Sequence, residues 1–581
     1  MISSMFHQQV FPGTLGEAVQ REIQWLQKAQ TIRRLWAGDV SLWSADGKVN
    51  ETFKEKLRWL RLPDNLGPYM ERAVAGAGKL QQEGLDEIVF VAMGRSNFAV
   101  ETVVRQSGAK LGRKFLLLDS TDPGAIRAIE KQICLERTLF IFASKSGKRI
   151  ETLALLLYFW DKLKLAGVPR PGRHFVAVTE ENSYLAELAR TYNFHDVFLD
   201  PPGISSQYSS LIHFNLLMSA VCGVGSASLV ERAVAMRDAC SPATAPDQNL
   251  ALQLAGFLGA ALSNHFARLV FINTESVDYM TYQMGSLLGA STGKLKKGII
   301  PIFGQTSYPL DIFKQSCVAV AVRMLGECDE MLDDKIAELR QANIPLISIE
   351  IRDAKDLGAE LFKWEIATML LCAQNGIDPF ADPDATEARR ASSRILEQIE
   401  KTGELPLPRI RVKESGIALR MEGETRQQVS TLSLPDALRS FLELRPADGY
   451  LAILPFSFPH PAVTAALEGI REQLVERLKT PVLVTSGPRY LHSLGQVYKG
   501  GPPKGIFIIL TAEPSEDVQV PGAGYTFRQL DLALALGDFE SLVHHKRPVL
   551  LLHFTQGMDT GLAQLILLLK QALVHLKGSG S

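Results

Sequence analysis

Cysteine is scarce in this chain, six in 581 residues. The six (134, 222, 240, 317, 328 and 372) stand far apart, with no CxxC pair and no Cys/His cluster. That spacing argues against a disulfide framework and a zinc site, and for free thiols in a reducing compartment. Net charge is nearly absent: 62 Lys and Arg balance 63 Asp and Glu, for −1 overall. No global field therefore draws the protein toward nucleic acid or an anionic membrane. Long apolar runs are missing as well. The longest, Leu250 to Leu262, contains Gln253 and falls short of the ~20 residues a membrane span needs. Met1 to Gly13 has no basic start followed by an apolar core and does not read as a signal peptide. No short-period repeat or low-complexity tract appears. The expectation is a soluble, cytoplasmic protein with neither nucleic acid nor membrane as partner. Hydrophobic residues make up 46% and charged residues 22%, an ordinary globular balance, and the length suggests two to four domains.

What is present is alternation. Residues 1–70 read mainly as helices, with apolar residues at helical spacing from Glu17 to Leu35. Short apolar strands then alternate with helices. Strands are expected at Ile88–Ala92, Lys114–Asp119, Thr138–Ala143 and His174–Val178. Cys240 to Pro246 reads as a linker, after which strands recur at Leu269–Ile272, Gly298–Ile302 and Pro345–Glu350. A charged, proline-containing stretch at Lys401–Gly416 interrupts them. Strand-like runs return at Tyr450–Leu454, Val482–Thr485, Ile506–Leu510 and Val549–Phe554. Continuous apolar strands alternating with helices predict α/β architecture, with parallel sheets covered on both faces and ligands at the carboxyl ends of the strands. Two doubly wound units are expected.

One turn carries chemistry on its face. Ser144-Lys145-Ser146-Gly147-Lys148-Arg149-Ile150-Glu151-Thr152 follows the third strand and opens a helix. Strand, hydroxyl-rich turn and helix start form an arrangement that cradles phosphate, because the first N–H groups of a helix carry partial positive charge. The same turn is equally the form of a loop with an N-capping serine.

The order of segments resembles the glucose-6-phosphate isomerase family, built from two sugar-isomerase (SIS) domains, and in particular the isomerase half of bacterial transaldolase/glucose-6-phosphate isomerase fusions. The likeness runs through Leu35-Trp36-Ala37-Gly38-Asp39, Asp119-Ser120-Thr121-Asp122-Pro123, Ser144-Lys145-Ser146-Gly147 and Pro202-Gly203-Ile204 with Tyr208-Ser209. It continues through Ser291-Thr292-Gly293-Lys294, Gly376-Ile377-Asp378-Pro379-Phe380 and Gly487-Pro488-Arg489-Tyr490-Leu491-His492-Ser493. Lys499-Gly500-Gly501-Pro502 closes it. The implied fold is two doubly wound parallel-sheet SIS domains with a helical N-terminal segment. The expected division is 1–70 for that segment, 71–240 and 241–515 for the SIS domains with an insertion near 401–445, and 516–581 for a C-terminal segment packing on them. The implied setting is glycolysis and gluconeogenesis.

Aldose–ketose interconversion requires a held phosphate, acid–base opening of the ring, a base that carries a proton between C1 and C2, and stabilisation of the enediolate. By resemblance Ser144, Lys145 and Ser146 hold phosphate. Arg149 and Lys148 stand where the family has small hydroxyl residues, and each either binds the anion or points into water against the helix dipole. In the first glycine turn the usual Met-Gly-Gly-Ser becomes Met93-Gly94-Arg95-Ser96. Ser96 is kept, while Arg95 either occludes the pocket or adds a contact. His492 falls where the family places its ring-opening histidine, and Glu151 and Lys499 match further family positions. Two departures are more damaging. Gln207 replaces the arginine that stabilises the enediolate, and Ala290 replaces the glutamate that transfers the proton. The run Lys294, Lys296 and Lys297 is expected at the surface, as are His544 and His545.

Two functions follow. One is a degenerate isomerase that binds a phosphorylated sugar and serves as a sensor, scaffold or partner subunit. The other is an active isomerase, on glucose 6-phosphate and fructose 6-phosphate or a related anionic sugar, with its base relocated; Glu151 and Glu275 are the acidic candidates. Neither needs a cofactor or a metal. The resemblance implies a homodimer and leaves room for a protein partner.

Overall fold

The computed structural model describes residues 6–43, 51–82, 84–93, 114–209, 213–221, 226–304, 306–457, 459–574 and 576. It resolves into two compact units, neither a continuous stretch of chain. Unit 1 takes residues 1–117, 135–149 and 169–381; unit 2 takes 118–134, 150–168 and 382–581.

Unit 1 is built on two five-stranded sheets. Its strands are β1 (His7–Phe11), β2 (Glu87–Ala92), β3 (Lys114–Leu118), β4 (Thr138–Ala143) and β5 (Phe175–Glu180), then β6 (Asp196–Asp200), β7 (Arg268–Asn273), β8 (Ile300–Ile302), β9 (Cys317–Met324) and β10 (Leu346–Ile351). One sheet has the order β3-β2-β4-β5-β6, with β2, β4, β5 and β6 parallel. The other has the order β1-β10-β9-β7-β8 and is parallel except at its β1 edge. The central strands are mostly apolar and buried, as in Ile88–Ala92 and Leu139–Phe142, the pattern of a parallel sheet covered on both faces. The helix Leu357–Asn375 shows the same logic: every residue from Leu357 to Ala373 is buried. Within it the Lys363 ammonium lies 2.6 Å from Glu360 Oε1 and donates to Gln8 Oε1 at 2.7 Å, so a buried charge is matched on two sides.

The N-terminal segment, expected to be mainly helical, also holds β1, which pairs antiparallel with β10. His7-Gln8-Gln9-Val10-Phe11 has little strand propensity of its own. Nonlocal pairing and the bond from Gln8 Nε2 to the Leu250 carbonyl, 3.1 Å, hold it there.

Unit 2 carries a third sheet. Its strands are β11 (Ile410–Glu414), β12 (Ile417–Arg420), β13 (Tyr450–Pro455), β14 (Val482–Val484), β15 (Gly505–Ala512) and β16 (Val549–Phe554), in the order β11-β12-β16-β15-β13-β14. The β11–β12 hairpin is antiparallel and closes one edge against β16; the other four strands run parallel. The charged stretch that seemed only to interrupt the alternation therefore supplies the edge strand β11, where charge discourages further pairing. Helices Pro383–Thr402 and Phe527–His544 cross closely at Gly537, whose added Cβ would lie 2.2 Å from Ser392 Oγ. Among the described residues no helix is long and apolar enough to cross a membrane.

Candidate functional site

In unit 1 the turn after β4 is fixed from within and from the next strand. Ser144 Oγ accepts from the Gly147 N–H at 3.2 Å, and Ser146 Oγ from the Lys148 N–H at 3.3 Å. Thr179 Oγ1, at the end of β5, lies 2.7 Å from the Ser144 carbonyl and 3.0 Å from that of Lys145. Gly147 has φ +67°, and a Cβ there would meet the Leu185 nitrogen at 2.1 Å. Only glycine allows both this conformation and this approach. Ser144 is buried, while Ser146 and Lys148 face solvent. Lys145 Nζ lies 3.5 Å from Glu180 Oε1. Desolvation lowers its pKa, and the negative charges of Asp200 and Glu180 oppose that. An anion arriving here would find a partly desolvated ammonium. Arg149 turns inward and donates from Nη1 to the Met93 carbonyl. Arg95 and Ser96 lie outside the described residues.

Also in unit 1, the loop Pro202–Ser209 meets the C-terminal end of the helix Asp278–Thr292. Tyr208 stacks on Trp59 with ring centroids 5.2 Å apart, and its hydroxyl donates to Ser291 Oγ at 3.1 Å. Gln207 and Ala290 are the chain neighbours of that bonded pair, and both are buried. The Gln207 backbone N–H is held by Ser205 Oγ at 3.3 Å, while its side-chain Oε1 has no hydrogen-bond partner among the described residues. Lys294 corrects an expectation. It is buried, and its ammonium donates to the carbonyls of Ser291 (2.8 Å) and Asp378 (2.5 Å). Gly293 ends the helix and turns Lys294 back under it, whereas Lys296 and Lys297 are exposed as expected. Glu275 is exposed too.

In unit 2 two of the expected residues come together. Glu151 sits in the first turn of the helix Ile150–Leu165, and His492 ends the short turn Arg489–His492. His492 Nε2 lies 2.7 Å from Glu151 Oε1, and both side chains are almost wholly buried. With Nε2–H donating to the carboxylate, a neutral His492 carries its lone pair on Nδ1, the arrangement of an oriented acid–base group. Arg489 Nε lies 3.1 Å from Asp119 Oδ2 and anchors the same turn. Lys499 is sealed inside the unit. Its ammonium pairs with Asp538 and donates to the Gly495 carbonyl at 3.1 Å, and Tyr490 donates to the other Asp538 oxygen at 2.6 Å. The Lys499 ammonium thus meets its partners within the unit. His544 is exposed, while His545 is half-buried with Asp384 and Glu387 each 3.4 Å away.

Sequence reasoning missed Asp531. It is buried in the helix Phe527–His544 and accepts from Thr121 Oγ1 at 2.7 Å. Burial, reinforced by the charges of Asp122 and Glu151, pushes its carboxyl up to about 8. Asp531, Asp122, Phe456, Thr511 and Arg528 line a small crevice of about 20 Å³, room for about one water molecule. It lies beyond the carboxyl ends of β13 and β15, where the chain turns from one side of the sheet to the other and open α/β sheets bind ligands. An aspartate inside Leu530-Asp531-Leu532 was the available signal.

No family model matches the chain. A probable glucose-6-phosphate isomerase from Haloquadratum walsbyi is 25% identical over 344 residues, 53% of this chain and 79% of the relative. A glucose-6-phosphate isomerase from Carboxydothermus hydrogenoformans is 29% identical over 198 residues, 34% of this chain and 42% of the relative. Among solved structures, a hypothetical protein from Thermus thermophilus superposes with TM-score 0.56 at 18% identity, over 67% of this chain and 99% of its own. A glucose-6-phosphate isomerase from Chlamydia trachomatis superposes with TM-score 0.52 at 15% identity, over 67% of this chain and 87% of its own. Sheets and superpositions together define an α/β fold that the chain shares with these two structures. The chain is thus similar, over about half of its length or less, to proteins named glucose-6-phosphate isomerase or probable glucose-6-phosphate isomerase.

Proposed function

We propose that this chain binds a phosphorylated sugar and has lost the groups that make the aldose–ketose proton transfer fast. The observation that carries the reading is Ala290. A buried methyl group occupies the position next to Ser291 where the resemblance calls for a carboxylate. Alanine cannot accept a proton, and loss of a general base lowers rates by about 10²–10⁴-fold. Gln207 compounds this, since a neutral amide stabilises a developing enediolate less than a guanidinium does. Phosphate holding is assigned to Ser144, Lys145 and Ser146, in a turn that needs no ligand to keep its shape. The same reading takes a homodimer as the assembly and the cytoplasm as the compartment.

A second reading has one observation in its favour. The Glu151–His492 pair is intact and buried, as an active enzyme with a relocated base would require. A coupled assay separates the two. The first reading expects no glucose 6-phosphate/fructose 6-phosphate turnover above background, together with a rise in melting temperature on adding either sugar phosphate. Ser144→Ala with Lys145→Ala should abolish that rise. Turnover within about tenfold of the ordinary median near 10 s⁻¹ would sink the first reading and favour the second.

A further inference from the structure

A cavity of about 420 Å³ opens in unit 1 where β1, β10 and the end of β9 meet the helix Glu330–Gln341. That is room for a small organic molecule, and none of the residues assigned to phosphate or proton transfer lines it. Its floor follows from strand register. Glu350 stands opposite His7 on β1 and Arg323 on β9, and Ser348 stands opposite Gln9. Opposed residues share a face of a sheet, and so do residues two apart along a strand. The wall is one side of the helix. Asp333 and Arg340 are seven residues apart, hence on the same side and about 10 Å apart along the axis.

The two ends of the cavity differ in charge. At one end Arg323 donates Nε and Nη2 to Glu350 Oε1, at 3.1 and 2.9 Å, and Nη1 to Asp333 Oδ1 at 2.6 Å. One guanidinium thus answers two carboxylates, which leaves that end one negative charge in excess. At the other end Arg340 meets no carboxylate among the described residues. Its side-chain bond there is a long one, Nη2 to Gln9 Oε1 at 3.3 Å. Ser348 and His7 line the cavity and make no side-chain hydrogen bond among the described residues. A simple anion or cation gains an opposite charge at one end only, whereas a zwitterion gains one at both. Each pairing is weak by itself in contact with water, so discrimination comes from making the two together. With a hydrogen bond of about 3 Å at each end, such a ligand carries its charges roughly 4–7 Å apart.

We propose that this cavity is a second ligand site of the chain, and that it takes a short zwitterion, an ω-amino acid or a dipeptide. The ammonium meets Glu350 and Asp333, and the carboxylate meets Arg340. The site shares no residue with the Ser144–Arg149 turn and does not depend on the phosphosugar reading.

Three probes of equal chain length test it: 5-aminopentanoate carries both charges, pentanoate only the negative one and pentylamine only the positive one. Isothermal titration of the full chain at pH 7.5 should give 5-aminopentanoate a dissociation constant of about 1 mM or tighter, with the other two at least about tenfold weaker. Arg340→Gln, at an exposed position, should weaken 5-aminopentanoate at least about tenfold, and Asp333→Asn at the opposite end at least about threefold. Melting curves establish that both variants are folded. Ser144→Ala with Lys145→Ala should leave the affinity within about twofold of wild type. No binding of 5-aminopentanoate, equal affinity for the three probes, or an Arg340→Gln variant that binds like wild type would overturn the inference. Sugar phosphates decide the phosphosugar reading separately, since their melting shift should survive Arg340→Gln.

Discussion

Replacing Asp531 by asparagine should stabilise the protein at neutral pH and destabilise it, by about 2 kcal/mol, near pH 4. The carboxyl is buried against Thr121 with Asp122 and Glu151 in electrostatic reach, which raises its pKa from 3.8 to about 8. Between those values the folded chain keeps a proton that the unfolded chain has released. The folded state then binds more protons, so stability falls as pH rises through the window and levels off above about 8. Each unit corresponds to 1.36 kcal/mol, so about 4 kcal/mol separates pH 7 from pH 4 at this one residue. Asparagine has nearly the same shape, its oxygen can still accept from Thr121 Oγ1, and it carries no proton to lose. Its amide must find new partners, so we expect a net gain on the order of 2 kcal/mol at pH 7. Urea denaturation followed by far-ultraviolet circular dichroism, at half-unit steps from pH 4 to 9, measures the difference between the two proteins. A difference that stays flat across that range would refute the argument, whatever its sign.

Gly147→Ala should destabilise unit 1 by about 2–4 kcal/mol, combining a left-handed backbone conformation with overpacking against Leu185. It should also remove the melting shift given by sugar phosphates; a variant that melts and binds like wild type would show the turn to be less constrained than its geometry implies. Lys499→Met leaves the Asp538 carboxylate buried without its counter-ion and should cost about 3–5 kcal/mol in denaturant melts. Adding Asp538→Asn should recover much of that loss, and failure to recover it would mean that the lysine stem rather than its charge matters.

Much of the fold was legible because buried parallel strands announce themselves as unbroken apolar runs. Thr138–Ala143 is the same strand in sequence and structure, and the expected runs at 88–92, 269–272 and 549–554 differ from β2, β7 and β16 by a residue or two at most. β6 was missed because aspartates bracket Val197-Phe198-Leu199. β9 was missed for another reason: valine alternates there with alanine, which favours helix over strand. The partition into three sheets was not legible at all. It depends on hydrogen bonds such as those between Ile417–Arg420 and Leu551–Phe554, and no local pattern encodes a partner more than a hundred residues away.

The site divides the same way. The turn at Ser144–Arg149 could be read because its hydroxyls, its glycine and its helix start are neighbours in sequence, and their bonds are local too. Lys294, Lys499 and Asp531 could not be placed, because what defines each is a distant partner. Asp531 meets Thr121 across 410 residues, and Lys294 meets Asp378 across 84. A buried charge is still visible as an anomaly when it interrupts an apolar run, as Asp531 does. It is invisible when its neighbours are charged, as with Lys294 beside Lys296 and Lys297. The first of those three lysines folds inward because Gly293 ends the helix immediately before it, and two carbonyls then lie within reach of its ammonium. A lysine directly after a helix-ending glycine can therefore cap that helix from below, since the last carbonyls of a helix lack partners of their own.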